Sequence, residues 1–204
     1  MVPARFPFKP DSGLWGRELA VQKGETLLVT GASGSGKTSM LSFVTGFRSD
    51  YTGRIDWGDR SAAALRDRQR SAALIHEIAV VFQDLKLIEG LTARENVEVK
   101  RLLAPHRSAG EAERMAERLG ISRVFDDPVE SLSRGEQQRA AIIRALVQPF
   151  GFIFLDEPFS HLDASTARET RALIEEERSA RGAALVLLDL DELSAPSSAR
   201  RIAI

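Results

Sequence analysis

The segment at residues 31–38, GASGSGKT, constrains the fold more than any other stretch of the chain. It matches the pattern G-x-x-x-x-G-K-[ST] and lies between an apolar run, TLLVT, and a segment with helical spacing, KTSMLSFVTG. In this strand–loop–helix context, small residues let backbone N–H groups wrap the α- and β-phosphates of a nucleotide. Lys37 is expected to reach the β- and γ-phosphates, and Thr38 to offer its hydroxyl to Mg²⁺. The motif therefore predicts a P-loop that binds the phosphates of a nucleotide.

The predicted phosphate-binding residues are consecutive. They are Gly31, Ala32, Ser33, Gly34, Ser35, Gly36, Lys37, Thr38 and Ser39. The alternative is a glycine-rich surface turn without a ligand. A random match to this pattern is expected in roughly one chain in a hundred of this length, and the strand and helix on either side make it rarer. A nucleotide site is the stronger interpretation.

A second apolar run ends in two acids. FIFLDEP, residues 152–158, predicts a buried strand that delivers Asp156 and Glu157 at its carboxyl end, where α/β sheets bind their ligands. Asp156 suits the outer shell of Mg²⁺, and Glu157 could polarise a water for in-line attack. Such a strand is common by itself, but combined with the phosphate loop it predicts nucleotide hydrolysis.

Strands and helices alternate along the chain, which predicts a single α/β domain with a mainly parallel sheet. RELAVQKGETLLVTG predicts a strand, a turn at Lys23–Gly24 and a second strand, and so an N-terminal antiparallel β part. From 84 to 146 the pattern becomes helical, which predicts a helical subdomain inserted in a core formed by 1–83 and 147–204.

Composition narrows the possible partners and the compartment. The net charge of the 204 residues is −1, which gives no global basic field to attract nucleic acid. The absence of cysteine excludes disulfides and thiolate metal sites. No apolar run approaches the roughly 20 residues that span a bilayer, and the N-terminal segment lacks the apolar stretch of a signal peptide. We therefore expect a cytoplasmic protein with no nucleic-acid partner.

A second predicted anion site begins at residue 132, with LSRGEQQR. Ser133 is a good helix N-cap, and Glu136 three residues later completes a capping box. Gly135 leaves the free backbone N–H groups open to an approaching ligand. A helix N-terminus of this kind attracts negative charge through its unpaired donors and its dipole.

The order of these motifs resembles the ATP-binding cassette (ABC) ATPases. The P-loop is followed by VVFQD, which contains Gln83, then by LSRGEQQR, FIFLDEP and SHLD. The resemblance covers almost the whole chain, and LSRGEQQR is its most specific element. It implies a P-loop NTPase fold and a homodimer that forms head to tail around two ATP. In that dimer each signature helix completes the partner's ATP site, which explains why one chain carries two anion sites.

The resemblance also implies roles for individual residues. Gln83 would bind Mg²⁺ and sense the attacking water, and would act with Glu157 and Lys37 in catalysis. Four residues would act across the dimer. They are Ser133, Gly135, Glu136 and Asp163.

An aromatic residue upstream of the P-loop is expected to stack on adenine. Phe8 is the favoured candidate, with Phe6 and Trp15 as rivals, and core packing is an equally good interpretation of each. Arg134 replaces a glycine that is usual in the signature, and we expect it to face solvent and to do little harm.

The sequence looks most like the branch of lipoprotein-release and macrolide-export ATPases. Those proteins work beneath separate membrane permeases, so the chain is expected to be peripheral on the inner face of the cell membrane. A permease helix could dock on four apolar residues, although packing within the helical subdomain explains most of them equally well. They are Leu85, Leu87, Ile88 and Leu91.

One expected residue is missing. In the family a histidine at the end of the strand that follows SHLD contacts the γ-phosphate and the attacking water, and its place here falls at Leu188 or Leu190. The acids Asp189, Asp191 and Glu192 lie in the same segment. ATP hydrolysis could therefore be slow, and the alternative function is a catalytically attenuated, nucleotide-gated binding module. A cassette acting on ribosomes or DNA and a small-molecule kinase explain the motifs less well.

Overall fold

The computed structural model describes residues 2–3, 13–190 and 194–204. The strands are β1 (Val2–Pro3), β2 (Thr26–Thr30), β3 (Tyr51–Thr52), β4 (Asp56–Trp57), β5 (Arg60–Ser61), β6 (Ile78–Val81), β7 (Phe152–Asp156), β8 (Ala184–Asp189) and β9 (Arg200–Ala203). The α-helices are α1 (Lys37–Val44), α2 (Asp67–His76), α3 (Ala93–Leu103), α4 (Ala109–Arg118), α5 (Arg134–Leu146) and α6 (Ala164–Ala180).

Five parallel strands form the central sheet, in the order β6-β7-β8-β2-β9. The middle strands are apolar on both faces because helices cover the sheet from both sides, and Leu27, Leu28 and Val29 of β2 have no exposed surface. The α/β fold with a mainly parallel sheet, predicted from the alternation of elements, is confirmed.

The pairing of the strands brings the predicted motifs to one edge of the sheet. Asp156 at the end of β7 is in register with Leu188 of β8, and Thr30 at the end of β2 is in register with Asp189. The P-loop, the Asp156–Glu157 pair and Gln83 all follow strands of this sheet, so their side chains meet at its carboxyl edge.

The antiparallel part consists of two small ladders, β1 with β3 and β4 with β5. The predicted strand at residues 17–22 is wrong, because this segment runs without strand pairing before the turn at residues 23–24. The segment cannot pair with β2, because β8 pairs with one edge of β2 and β9 pairs with the other. The sequence analysis did not predict β9.

Three helices, α3 to α5, lie in the predicted helical segment, and each begins with a capping box. The caps are Thr92, Ser108 and Ser133, and each accepts a hydrogen bond from the backbone N–H of a glutamate three residues later. Helix α3 ends at Leu103, shortly before Pro105, and α4 begins at Ala109. None of the helices in the described part of the chain is long and apolar enough to cross a bilayer.

One continuous apolar cluster joins these helices to the sheet. It includes Met115 of α4 and Ile142 of α5 together with Ile153 and Leu155 of β7. The helices therefore rest directly on the strands that present the site, so the two ends of α5 have fixed positions relative to the carboxyl edge of the sheet.

Candidate nucleotide site

The predicted phosphate-binding residues form the loop from β2 to α1 and the first turn of that helix. Gly36 is the N-cap of α1 and has φ 104°. A Cβ at this position would lie 3.1 Å from Cζ2 of Trp15, and the positive φ would itself be strained for any other residue. Glycine is thus required here by the backbone and by the close approach of an aromatic ring.

Lys37 folds back over its own loop. Its Nζ donates hydrogen bonds to the carbonyl of Gly31 at 2.6 Å and of Ala32 at 3.3 Å, and the residue is 5% exposed. Nζ also lies 3.8 Å from Oε1 of Glu157. The ammonium therefore stands between the phosphate loop and the end of β7. Ser39, in contrast, accepts a hydrogen bond from Arg48 through its hydroxyl.

Thr38 and Asp156 are joined directly. The Thr38 hydroxyl donates to Oδ2 of Asp156 at 2.6 Å. Asp156 is 1% exposed, and its other oxygen, Oδ1, is buried without a hydrogen-bond partner in the described part of the chain. Burial raises the pKa of this carboxyl, and the negative charges of Glu157 and Asp189 raise it further against the pull of Thr38 and Lys37.

A buried, unpaired carboxylate oxygen next to a threonine hydroxyl whose oxygen can still act as a ligand fits a hard divalent cation. Oxygen ligands of this kind are the ones that Mg²⁺ prefers, and a cation would satisfy Oδ1 and lower the cost of burying the charge. The residues present are thus compatible with Mg²⁺ next to the P-loop.

Glu157 has an unusual backbone, with φ 47° in the left-handed region. Its N–H donates to the carbonyl of Leu188 at 2.8 Å, and its carbonyl accepts from Nε2 of Gln138 at 2.9 Å. Nε2 of Gln83 donates to Oε2 of Glu157 at 3.2 Å. The carboxylate is therefore held at the end of β7 by contacts to its backbone and its side chain.

The structure brings five of the predicted site residues together at this edge. They are Lys37, Thr38, Gln83, Asp156 and Glu157. Sequence analysis missed Gln138, which lies in α5 and reaches the Glu157 carbonyl. No sequence motif indicates this role for Gln138, because its side chain contacts a backbone group in a different element.

The capping box predicted at the start of α5 is present. The Ser133 hydroxyl accepts a hydrogen bond from the Glu136 N–H, and Oε2 of Glu136 accepts from the Ser133 N–H at 2.8 Å and from its hydroxyl. These bonds from Ser133 lower the pKa of Glu136. The N-terminus of α5 is thus capped as expected. None of these hydrogen bonds involves a P-loop residue.

Gly135 approaches another loop of the same chain. A Cβ at this position would lie 2.8 Å from the carbonyl oxygen of His161, closer than a side chain tolerates. The glycine is therefore needed for packing against residue 161, a reason that the sequence analysis did not foresee. Arg134 is exposed as expected, but it also makes a structural contact, since it donates a hydrogen bond to the Gln83 carbonyl at 2.7 Å.

Asp163 caps α6. Its Oδ1 accepts from the backbone N–H groups of Ser165 and Thr166, and its two oxygens also accept from both hydroxyls. These hydrogen bonds hold the pKa of Asp163 well below its usual range. The carboxylate is ionised and exposed, at the start of the helix that follows the loop packed on Gly135.

The favoured aromatic candidate for adenine stacking, Phe8, lies outside the described residues, as does Phe6. The third candidate, Trp15, is 6% exposed and packs edge to face on Phe43 at a centroid distance of 6.4 Å. For Trp15, core packing is the better interpretation.

The two candidate positions for the missing histidine differ in burial. Leu188 has no exposed surface and belongs to the apolar cluster of β2 and β7. Leu190 is 55% exposed, just beyond β8. Its N–H donates to the carboxylate of Asp189, whereas Asp191 and Glu192 lie outside the described residues.

The four apolar residues considered for docking also differ. Leu85 is buried, Leu87 packs against the main cluster and Leu91 is partly buried, whereas Ile88 is 46% exposed. Sequence analysis missed three exposed apolar residues on α3. They are Val99, Leu102 and Leu103.

Comparison with known proteins agrees with this geometry. A family model described as ABC transporter matches residues 15–160. The chain is 32% identical to the ABC transporter ATP-binding protein YtrE of Bacillus subtilis (strain 168), over 85% of this chain and 77% of that protein. It is 34% identical to the lipoprotein-releasing system ATP-binding protein LolD of Alcanivorax borkumensis, over 87% of this chain and 79% of that protein.

Solved structures of one cassette are also similar. The dimeric structure of MJ0796, a bacterial ABC transporter cassette, matches with a TM-score of 0.85 and 28% identity, over 94% of this chain and 86% of that chain. The same cassette in a post-hydrolysis state, bound to ADP and Pi, matches with a TM-score of 0.80 at 28% identity, over 93% and 86% of the two chains. Since the family model covers more than half of the chain and the relatives exceed 30% identity, this protein belongs to the ATPases of the ABC transporter family.

Proposed function

We propose that this ABC ATPase binds MgATP at residues 31–39, pairs head to tail with a second copy around two ATP, and drives a separate membrane permease. The observation that carries the proposal is the convergence of Lys37, Thr38, Asp156, Glu157 and Gln83 at one edge of the sheet. A phosphate loop with a hydroxyl, a buried acid and a held carboxylate has the groups that phosphoryl transfer to water requires.

Binding of ATP begins with an exchange of partners at Lys37. Its ammonium is held by two carbonyls of its own loop and lies near Glu157, so phosphate oxygens can replace weak partners with strong ones. Charge-assisted hydrogen bonds from an ammonium to phosphate are about twice as strong as neutral ones. We propose that the backbone of 31–36 wraps the phosphates and that Phe8 stacks on the adenine.

Thr38, Gln83 and Asp156 are the residues that we propose to hold Mg²⁺. Thr38 and Gln83 would offer side-chain oxygens to the ion, and Asp156 would help to hold it with its unpaired Oδ1. When bound, the ion spreads the negative charge of the β- and γ-phosphates, which favours attack by water. Nothing in the arrangement requires Asp156 to leave the position in which it already accepts from Thr38.

We propose that Glu157 takes the proton from the attacking water. Its backbone is fixed by Leu188 and Gln138, so the carboxylate keeps its place while charge develops on the γ-phosphate. Gln83 holds one of the two carboxylate oxygens and thereby orients the other. The proton ends on a Glu157 oxygen, and the water oxygen forms the new bond to phosphorus as the bond to the β-phosphate breaks.

The second copy supplies the remaining contacts in this proposal. The N-terminus of α5, with Ser133, Gly135 and Glu136, faces the γ-phosphate held by the partner, and Asp163 lies at the seam. Two structural features support this arrangement: the capping box orders the N-terminus of α5, whose dipole attracts negative charge, and Gly135 lets it pack closely on residue 161.

We further propose that residues 84–146 act as a helical subdomain that meets the permease, so that the protein is peripheral on the cytoplasmic face of the membrane. Ile88 and the exposed apolar residues of α3 support this docking surface. The N–H of Ile88 donates to Oδ1 of Asn96 in α3 at 2.7 Å, which holds the Ile88 backbone against that helix.

A catalytically attenuated binding module was the alternative, and the comparisons do not support it. The matches are to ATP-binding subunits of transporters and to a cassette solved after hydrolysis, with ADP and Pi bound. The missing histidine at 188 or 190 thus bears on the rate of hydrolysis rather than on the class of protein.

Glu157→Gln tests the proposal. The variant keeps the shape of the side chain and binds ATP, but it cannot accept the proton, so turnover should stop and MgATP should trap a dimer in light scattering. Glu117→Gln, on the exposed face of α4, is the matched control and should behave as wild type. A Glu157→Gln protein that stays monomeric at saturating MgATP, or that still hydrolyses ATP, would contradict the proposal.

A further inference from the structure

The loop after β6 has a strained backbone. Leu85 has φ 60° and Lys86 has φ 48°, two consecutive residues other than glycine in the left-handed region. Each costs roughly 1–2 kcal/mol relative to an ordinary conformation. Glu157 is the only other such residue in the part of the chain that the structure describes. A strained backbone of this kind persists only where surrounding groups hold it.

Arg144, in the last turn of α5, holds this loop. Its two terminal nitrogens donate to the carbonyl of Lys86 at 2.6 Å and to that of Leu85 at 2.5 Å. Burial lowers the pKa of Arg144 to about 10. Among the described residues no carboxylate forms an ion pair with Arg144, so the two carbonyl dipoles are the partners that stabilise its charge.

The opposite end of α5 contacts the same loop. Arg134, in the first turn, donates to the carbonyl of Gln83 at 2.7 Å. A third contact comes from α3, where Nδ2 of the fully buried Asn96 donates to the carbonyl of Ile88 at 3.1 Å. Residues 83–88 are therefore fixed by side chains from two helices, through their backbone carbonyls.

The geometry points to Arg144, assisted by Arg134, as a positioning residue for Gln83: α5 sets the loop so that Gln83 meets Glu157. This inference rests on the proposed roles of Gln83 and Glu157 in hydrolysis. The helix capped by Ser133 and the loop that carries the side chain orienting the base are thereby joined through backbone carbonyls.

Arginine is specifically suited to this task. The planar guanidinium carries two terminal nitrogens in a fixed fork, which matches two adjacent carbonyls. A lysine ammonium donates from a single nitrogen on a flexible stem, so it would hold the two carbonyls in a different and less rigid relative position. An Arg144→Lys variant therefore separates the geometry of the contact from its charge.

The first measurement is the split between turnover and affinity. In Arg144→Met and Arg144→Lys, kcat for ATP should fall, by about 10- to 100-fold for methionine and less for lysine, because Gln83 no longer orients Glu157. Affinity for ATP should change by less than about twofold, because the hydrogen bonds of Arg144 go to residues 85 and 86 and not to the P-loop.

The second measurement is a double-mutant cycle with Gln83→Ala. If Arg144 acts through Gln83, then Arg144→Met should cause no further loss of kcat once Gln83 is alanine. A merely structural role for Arg144 would give independent losses that multiply. Arg134→Ala, an exposed change that leaves the core intact, should show the same dependence on Gln83 with a smaller effect.

Arg181 provides the matched control. It too is largely buried, its pKa is lowered by burial, and it donates to backbone carbonyls, at Leu146 and Glu177. None of its hydrogen bonds in the described residues goes to 83–88. Arg181→Met should lower the melting temperature and leave kcat of the folded protein unchanged.

Full turnover in Arg144→Met, or a loss that multiplies with that of Gln83→Ala, would overturn the inference. If Arg144→Met does not fold, Arg144→Lys and Arg134→Ala decide by the same cycle. Wild-type protein without turnover would overturn the proposed function and this inference with it, whereas an active wild type with an active Arg144→Met overturns the inference alone.

Discussion

Gln83 and Glu157 are 74 residues apart in the chain, yet Nε2 of Gln83 donates a hydrogen bond to Oε2 of Glu157 over 3.2 Å. The two residues follow adjacent strands of the sheet, β6 and β7. The other carboxylate oxygen, Oε1, lies 3.8 Å from the Lys37 ammonium. The base that we propose is thus oriented from both sides, and we expect the terminal phosphate of ATP to bind between Glu157 and Lys37.

Lys37→Ala should weaken the binding of ATP. The variant loses a charge-assisted contact to phosphate, which contributes on the order of 1.5–3 kcal/mol, equivalent to a loss of about 10- to 150-fold in affinity. Titration with a fluorescent ATP analogue measures the change. Lys23→Ala, in the turn before β2, is a control that should bind normally, and unchanged affinity in Lys37→Ala would place ATP elsewhere.

Asp156→Asn should stabilise the free protein while it abolishes hydrolysis. The ionised carboxyl is buried with one unpaired oxygen, and its pKa is raised, so the charged form is disfavoured in the folded state. Removing the charge should stabilise the protein by about 1 kcal/mol at neutral pH, a trade-off typical of functional sites. Thermal denaturation without nucleotide measures the effect, and a lower melting temperature in the variant would count against it.

The same pair of proteins gives a test in pH. Because the folded-state pKa of Asp156 lies above its unfolded value, the folded protein binds the proton more tightly than the unfolded chain does. As pH falls through the folded-state pKa, protonation of Asp156 therefore raises the free energy of unfolding of the wild type. The difference in stability between the wild type and Asp156→Asn should shrink. A gap that stays constant between neutral and acidic pH would show that Asp156 is not the cause.

Histidine should restore a donor only at one of the two candidate positions. Leu190→His places an imidazole at an exposed site beyond β8, and we expect kcat to rise there. A preorganised donor of this type contributes up to 10²–10³-fold in other enzymes. Leu188→His instead puts a polar ring into the fully buried cluster, and we expect a loss of roughly 2–4 kcal/mol in stability without a gain in rate. Steady-state hydrolysis and thermal denaturation separate the two, and a faster Leu188→His would reverse the assignment.

Gly135→Ala should disturb the signature region. Its new Cβ would stand 2.8 Å from the His161 carbonyl oxygen, so either α5 or the loop before α6 must shift. We expect a loss of about 1–3 kcal/mol in stability and weaker ATP-dependent dimerisation. Gly110→Ala, in α4, is the matched control, because its nearest neighbour would be the flexible end of Arg114 at 3.7 Å. That change should stabilise its helix slightly, by up to about 1 kcal/mol.

Local patterns predicted the parts of the site that are local in the chain. The P-loop between β2 and α1, the acids at the end of β7 and the capping box of Ser133 each depend on residues within a few positions of one another. Their physical causes, phosphate-binding glycines, a buried strand and a capped helix, leave a direct trace in the order of residue types.

Features that depend on distant partners were not predicted. The segment at 17–22 has the composition of a strand, but β8 and β9 occupy both edges of β2. Likewise, Arg144 and Gln138 donate to backbone carbonyls in other elements. Every residue has a backbone carbonyl, so the sequence does not indicate which one a side chain will contact. The difference in burial between Leu188 and Leu190 likewise depends on strand pairing, because Leu188 lies within β8 opposite Asp156.

At position 157 the residue that we propose for catalysis is not the residue that best fits the backbone, because Glu157 has a positive φ. Glycine adopts φ 47° without strain, so Glu157→Gly would release about 1 kcal/mol of backbone strain and keep the turn at the end of β7. A gene copy that is selected only for a folded, ATP-binding product would therefore gain by discarding the glutamate. Retention of this side chain therefore requires continuing selection for hydrolysis.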